Sequence, residues 1–98
     1  MSQNNFYITT PIYYPSGEPH MGHAYSSILA DVFARFKRND NCNVFFLTGT
    51  DEHGQKVEKA SIKDSSDPQS FTDRMSGNFK ELITFLNCNI NDFIRTTE

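Results

Sequence analysis

An α/β fold with a parallel sheet and crossover helices is predicted by three features of the sequence. The segment "NNFYITTPI" is rich in β-branched and aromatic residues. The segment "VFFLT", residues Val44 to Thr48, is a continuous apolar run. Between them, apolar residues recur at three- and four-residue spacing, the period of an amphipathic helix. Strand, helix and strand in that order make a βαβ unit, with parallel strands and a right-handed crossover.

The first strand is expected from Phe6 to Thr10, because the breakers Pro11, Pro15, Gly17 and Pro19 follow it and open a long loop. From Met21 onward, Tyr25, Ile28, Leu29, Val32, Phe33 and Phe36 give one apolar stripe on a helix that ends near Arg38. Lys37 and Arg38 suit its negative end. "NDNCN" is a turn, and "VFFLT", closed by Gly49, reads as a strand buried on both faces. "GQKVEKASIKD" predicts a short helix. "SDPQSFTDRMSGNFKELITFLN" predicts a longer one, with Asp67 as cap, Pro68 at the first position, and Phe71, Met75, Phe79, Leu82, Ile83 and Leu86 inward. "DFIRTT" is a third strand, and no repeat, low-complexity tract or linker interrupts the order.

Ninety-eight residues allow at most one small domain with a modest core, which is short for an enzyme of several substrates and hints at a portion of something longer. Twelve acidic against nine basic residues, with no block of like charge, leave no nucleic-acid footprint, so any RNA-binding surface is small or lies elsewhere. Cys42 and Cys88 lack a C-x-x-C partner and fit two thiols in a reducing compartment better than a disulfide scaffold, although a bridge between them stays open. The start, "MSQNNFYITT", has no basic region followed by an apolar run, and no stretch approaches membrane-spanning length. The expectation is a cytoplasmic protein without a membrane anchor.

In a βαβ unit the loops leaving both strands open on one sheet edge, so "TPIYYPSGEPHMGH" and "TGTDEHG" should meet there. Open parallel sheets bind ligands in the crevice outside the carboxyl ends of their strands. A helix starting near Met21 presents unpaired backbone N–H groups and a partial positive charge, and Gly22 removes a side chain that would hold a ligand away. That is a phosphate cradle, to which His20 and His23 add imidazoles whose protonation follows the ligand's charge. H-x-G-H alone is equally compatible with surface or capping histidines. It also admits a metal site completed by Asp51, Glu52 and His53, though without H-E-x-x-H spacing. The Asp51–Glu52–His53 cluster, between Gly49 and Gly54, is either a solvated turn or a loop with a division of labour. In the second case Asp51 points into the crevice as a carboxylate for an ammonium group, while Glu52 faces elsewhere and keeps the loop shaped. Tyr13 and Tyr14 either pack beside prolines or line the crevice.

Taken together, "YITTPIYYPSGEPHMGHAYSSILADVFARFKR" followed by "VFFLTGTDEHGQKVEKA" resembles the start of the methionyl-tRNA synthetases, a family of class I aminoacyl-tRNA synthetases. The resemblance runs over essentially the whole chain, through "DFIRTTE", and "HMGH" stands at the class signature usually written H-I-G-H. It implies the N-terminal half of a Rossmann-type nucleotide-binding fold, with residues 1–98 an incomplete portion of the catalytic domain. It also implies a ligase that takes ATP with Mg2+ as substrate. Methionine would first be activated to methionyl-adenylate, and the acyl group then passed to tRNA, which binds through regions mostly outside these residues. His20 and His23 are implied as catalytic, and His20, Gly22 and His23 as lining ATP. Ile12, through its backbone, Tyr14, through its ring, and Asp51, through its carboxylate, are implied at methionine. Tyr13, Glu52 and His53 are implied as pocket wall or loop support. An apolar slot suits a polarizable thioether.

The family's second signature, a K-M-S-K-S loop whose lysines hold the phosphates from the opposite side, is not in the sequence. "RMSGN" at Arg74 to Asn78 has no lysine and falls inside the predicted long helix with Met75 inward, so it reads as structural. The zinc-binding knuckle and the anticodon-binding helical domain are missing too, so zinc is expected only in a longer enzyme and no metal site in this chain. These residues alone are therefore expected to be inactive. The alternatives are another H-x-G-H nucleotidyltransferase, or a non-catalytic remnant acting as a binding module.

Overall fold

The computed structural model describes residues 4–97. The elements run β1 (Asn5–Thr9), α1 (Met21–Asn39), β2 (Asn43–Thr50), α2 (Gln55–Lys63), α3 (Pro68–Phe85) and β3 (Asp92–Arg95). The strands form one sheet in the order β1-β2-β3, and both pairings are parallel. Tyr7 stands opposite Phe45, and Gly49 opposite Ile94. The long helix is closed as its sequence predicts, with the Asp67 carboxylate accepting from the Ser70 N–H and Pro68 in the first turn. Phe71, Met75, Phe79 and Ile83 are buried on it, while Leu82 and Leu86 are only half-buried.

Two expectations need correction. The apolar stripe of α1 is not its inner face, since Tyr25, Ile28, Leu29, Val32, Phe33 and Phe36 are 45–69% exposed. The inner face is Ser27, Ala30, Asp31 and Ala34. Small side chains let the helix sit close against Val44 and Phe46 of β2. Its two buried polar groups are satisfied: Ser27 pairs with the Tyr13 hydroxyl, and the Asp31 carboxylate accepts from the Asn89 N–H at 2.8 Å and from Arg35. Similarly, β2 is covered on one face only. Val44, Phe46 and Thr48 are buried under α1 and α3, whereas Phe45 is 45% exposed and stacks on Tyr7 across the open face. An apolar run reads as doubly covered, but among the described residues helices contact the sheet through one face.

Gly49 packs closely against β3, where an added Cβ would collide with the carbonyl oxygen of Ile94. Gly49→Ala is expected to force β3 away from β2 and destabilise the protein by about 1–3 kcal/mol. Urea denaturation with an unchanged midpoint would refute this. Cys42 and Cys88 are free thiols. No helix among the described residues is long and apolar enough to cross a membrane.

Candidate active site

Parallel pairing brings the loop after β1, the start of α1 and the loop after β2 to one edge of the sheet. The contact between them is made by Tyr13. Its backbone forms a parallel bridge to Thr50, taking 3.0 Å from its N–H to the Gly49 carbonyl and 2.8 Å from the Asp51 N–H to its own carbonyl. Its ring is buried, edge-on to His23 at 4.9 Å and stacked on Phe79 at 5.7 Å, and its hydroxyl pairs with Ser27 at 2.9 Å. Tyr13 is thus loop support. Its neighbours Ile12 and Tyr14 stay exposed.

His20 is the N-cap of α1: its Nδ1 accepts from the Gly22 N–H at 3.0 Å, and the His23 Nδ1 accepts from the His20 N–H at 3.0 Å. The two rings stack with centroids 3.8 Å apart. This capping box revises the simple cradle, because the Gly22 N–H is already occupied by the His20 ring. It also gives Gly22 a second reason, since a Cβ there would come within 2.9 Å of the His20 ring. With both Nδ1 atoms accepting, each neutral imidazole must carry its proton on Nε2 and can donate only there. Burial, and then the adjacent His20, push His23 below its ordinary 6.5, so it is neutral at pH 7.

Asp51 and Glu52 part company: Asp51 borders a hollow and Glu52 turns inward. The Glu52 side chain is fully enclosed and accepts from Arg95 at 2.7 and 2.8 Å, from Thr50 at 2.6 Å, from Thr97 at 2.7 Å and from Ser76 at 2.5 Å. Burial pushes its carboxyl upward, but the bonds from Arg95, Ser76, Thr50 and Thr97 outweigh that and hold it down at about 2. Ser76 belongs to the "RMSGN" stretch, whose Met75 is also buried, so that segment is structural. His53 is exposed and its Nε2 lies 3.3 Å from the Thr96 carbonyl.

Among the hollows at this edge, two take in the predicted residues. One, of 310 Å³, is lined by Tyr14, Gly17, Glu18, His20, His23 and Lys56 among others. The second, of 450 Å³, is lined by Tyr14, Asp51, His53, Gly54, Gln55 and Lys56. Tyr14 and Lys56 belong to both, so the histidines and Asp51 face adjoining spaces across a shared wall. Ile12 is in neither lining. A larger hollow of 710 Å³ follows the last turns of α3 and shares only Glu18 with them. Lys56, in the first turn of α2, escapes the sequence reading because a lone lysine near a helix start carries no motif. With Glu52 turned inward and both Nδ1 atoms engaged, the ligand set His20, His23, Asp51, Glu52 and His53 does not assemble. Among the described residues no three His, Cys, Asp or Glu side chains converge as metal ligands.

The profile of the family described as "tRNA synthetases class I (M)" matches residues 6–98. The chain belongs to this family. It is 59% identical to a methionine–tRNA ligase of Rickettsia typhi over 98% of its own length and 19% of the relative's. It is 51% identical to methionine–tRNA ligase 1 of Bacillus cereus, covering all of this chain and 15% of that one. The crystal structure of Mycobacterium tuberculosis methionyl-tRNA synthetase bound by methionyl-adenylate superposes with a TM-score of 0.96 at 45% identity, over 97% of this chain and 19% of that one. A LeuRS–tRNA–LeuAMS complex from Agrobacterium radiobacter, at 24% identity and TM-score 0.94, covers all of this chain and 13% of its own and shares the fold. The chain therefore spans about a fifth of the curated relatives it matches. As in other class I synthetases, its parallel α/β arrangement is Rossmann-type, and the H-x-G-H stretch sits at the carboxyl edge of the sheet, where nucleotide-binding sheets take their ligands.

Proposed function

We propose that residues 1–98 form the N-terminal portion of the catalytic domain of a methionine–tRNA ligase, which activates methionine with ATP and passes it to tRNA in the cytoplasm. The observation that carries this reading is the pair of adjoining hollows, histidines on one side and Asp51 on the other, in a member of this family. The M. tuberculosis relative, whose structure holds methionyl-adenylate, supports it. Methionine lies in the Asp51 hollow, its ammonium paired with the Asp51 carboxylate and its thioether along the Tyr14 ring, while Ile12, outside that lining, is assigned to methionine by the family resemblance alone. ATP, carrying Mg2+, lies against His20, Gly22 and His23.

A methionine carboxylate oxygen attacks the α-phosphorus, the new P–O bond forms, and the bond to pyrophosphate breaks. Charge develops on the phosphate oxygens, where the two Nε2–H groups donate. Lys56, on the wall between the two spaces, supplies a cation where carboxylate and phosphate meet. The lysines of the K-M-S-K-S loop, most of the tRNA contacts and any zinc site belong to regions outside these residues. These residues alone accordingly form no adenylate.

The test is Asp51→Asn in the protein at its natural length. Loss of a charged hydrogen bond should weaken methionine binding by about 1.5–3 kcal/mol in calorimetric titration, with ATP binding spared. Unchanged methionine affinity would overturn the assignment of Asp51.

A further inference from the structure

We propose that Thr96 is a positioning residue for Asp51, a role that rests on the reading of Asp51 as the ammonium partner. Thr96 is the first residue after β3, and it is bonded to four consecutive residues of the loop that ends β2. Its N–H donates to the Thr50 carbonyl at 3.1 Å, and its own carbonyl lies 3.3 Å from the His53 Nε2. Its hydroxyl accepts from the Glu52 N–H at 2.7 Å and donates to the Asp51 Oδ1 at 3.3 Å.

The direction of these bonds is forced. A hydroxyl has one hydrogen, and a backbone N–H can only donate, so the Glu52 contact uses a lone pair and leaves the hydrogen for the Asp51 carboxylate. Residues on either side lock Thr96 in place, Arg95 and Thr97 both donating to the enclosed Glu52 carboxylate. The end of β3 therefore holds one oxygen of Asp51 and leaves the other for an ammonium group in the hollow. A side chain held in one rotamer before its ligand arrives loses less freedom on binding.

The test compares Thr96→Val, Thr96→Ser and Asp51→Asn in methionine-dependent ATP–pyrophosphate exchange, using the protein at its natural length. Thr96→Val keeps the shape and loses the hydroxyl. It should raise the methionine KM about three- to tenfold, as expected for one long hydrogen bond to a charged group, with the ATP KM changed less than twofold. Thr96→Ser should restore the wild-type methionine KM. In the Asp51→Asn background Thr96→Val should add little, because the partner it orients is already gone. Thr96→Ala serves the same comparison if the valine variant does not fold.

Equal increases in both KM values, failure of serine to rescue, or full additivity with Asp51→Asn would overturn the positioning role while leaving Asp51 in place. An unchanged methionine KM in Asp51→Asn alone would instead overturn the reading of Asp51 on which the role rests.

Discussion

Replacing Arg95 by alanine is expected to destabilise the protein by about 3–5 kcal/mol, the cost of leaving a buried carboxylate without its cation. Glu52 is wholly enclosed, and Arg95 meets both of its oxygens while also reaching Asp73. Asp73 is half exposed, so Asp73→Ala should move the midpoint far less than Arg95→Ala. The contrast between the two variants, read as urea midpoints at pH 7, separates the buried pair from the surface one. Acid should show the same contribution from the other side. The folded Glu52 carboxyl holds at about 2 against an ordinary 4.5, so as pH falls the unfolded chain binds the proton first. The stability this provides is whole above 4.5 and is lost between there and 2. An Arg95→Ala protein with a wild-type midpoint would show that the hydroxyls of Thr50, Ser76 and Thr97 suffice.

His20→Ala and His23→Ala are each expected to slow adenylate formation by about 10²–10³, the range for removing one donor from developing oxyanion charge. Methionine affinity should hardly move, because neither ring borders the Asp51 hollow. Each histidine is also part of the helix cap, so alanine mixes two effects. His20→Asn separates them: asparagine is a preferred N-cap residue but does not place a donor where Nε2 lies. Pyrophosphate exchange as slow in His20→Asn as in His20→Ala, at near wild-type thermal stability, is the expected outcome. Restoration of the rate by asparagine would make the histidine structural.

Elements governed by local rules were legible in the sequence. The helix from Pro68 carries its cap and its first-position proline in adjacent residues, and both strands of the βαβ unit stand in short β-branched and aromatic runs bounded by turn residues. What sequence could not supply is which face of α1 lies nearest the sheet. Periodicity follows the large apolar side chains, whereas close approach selects Ser27, Ala30 and Ala34. The site divides in the same way. His20, Gly22, His23 and Asp51 stand in short motifs and are found by reading them. Partners that fix Glu52 come from Ser76, Arg95 and Thr97, between 24 and 45 residues away, and Lys56 has no motif at all. The capping role of the two histidines was hidden for a further reason, since imidazole is an uncommon N-cap and only geometry reveals it.

Tyr13 gives the two halves of the cleft a common mechanical element. Its backbone is paired to the end of β2 beside Asp51, and its ring bears directly on His23. The loop on the Tyr14 side, the His23 ring and the Asp51 N–H thus all meet at this one residue. Any coupling this contact carries between occupants of the two hollows is reciprocal: the factor by which the first changes the affinity of the second is matched in reverse. Loosening Tyr13, for example by removing the hydroxyl that holds Ser27, would shrink any such factor toward one without making it unequal in the two directions.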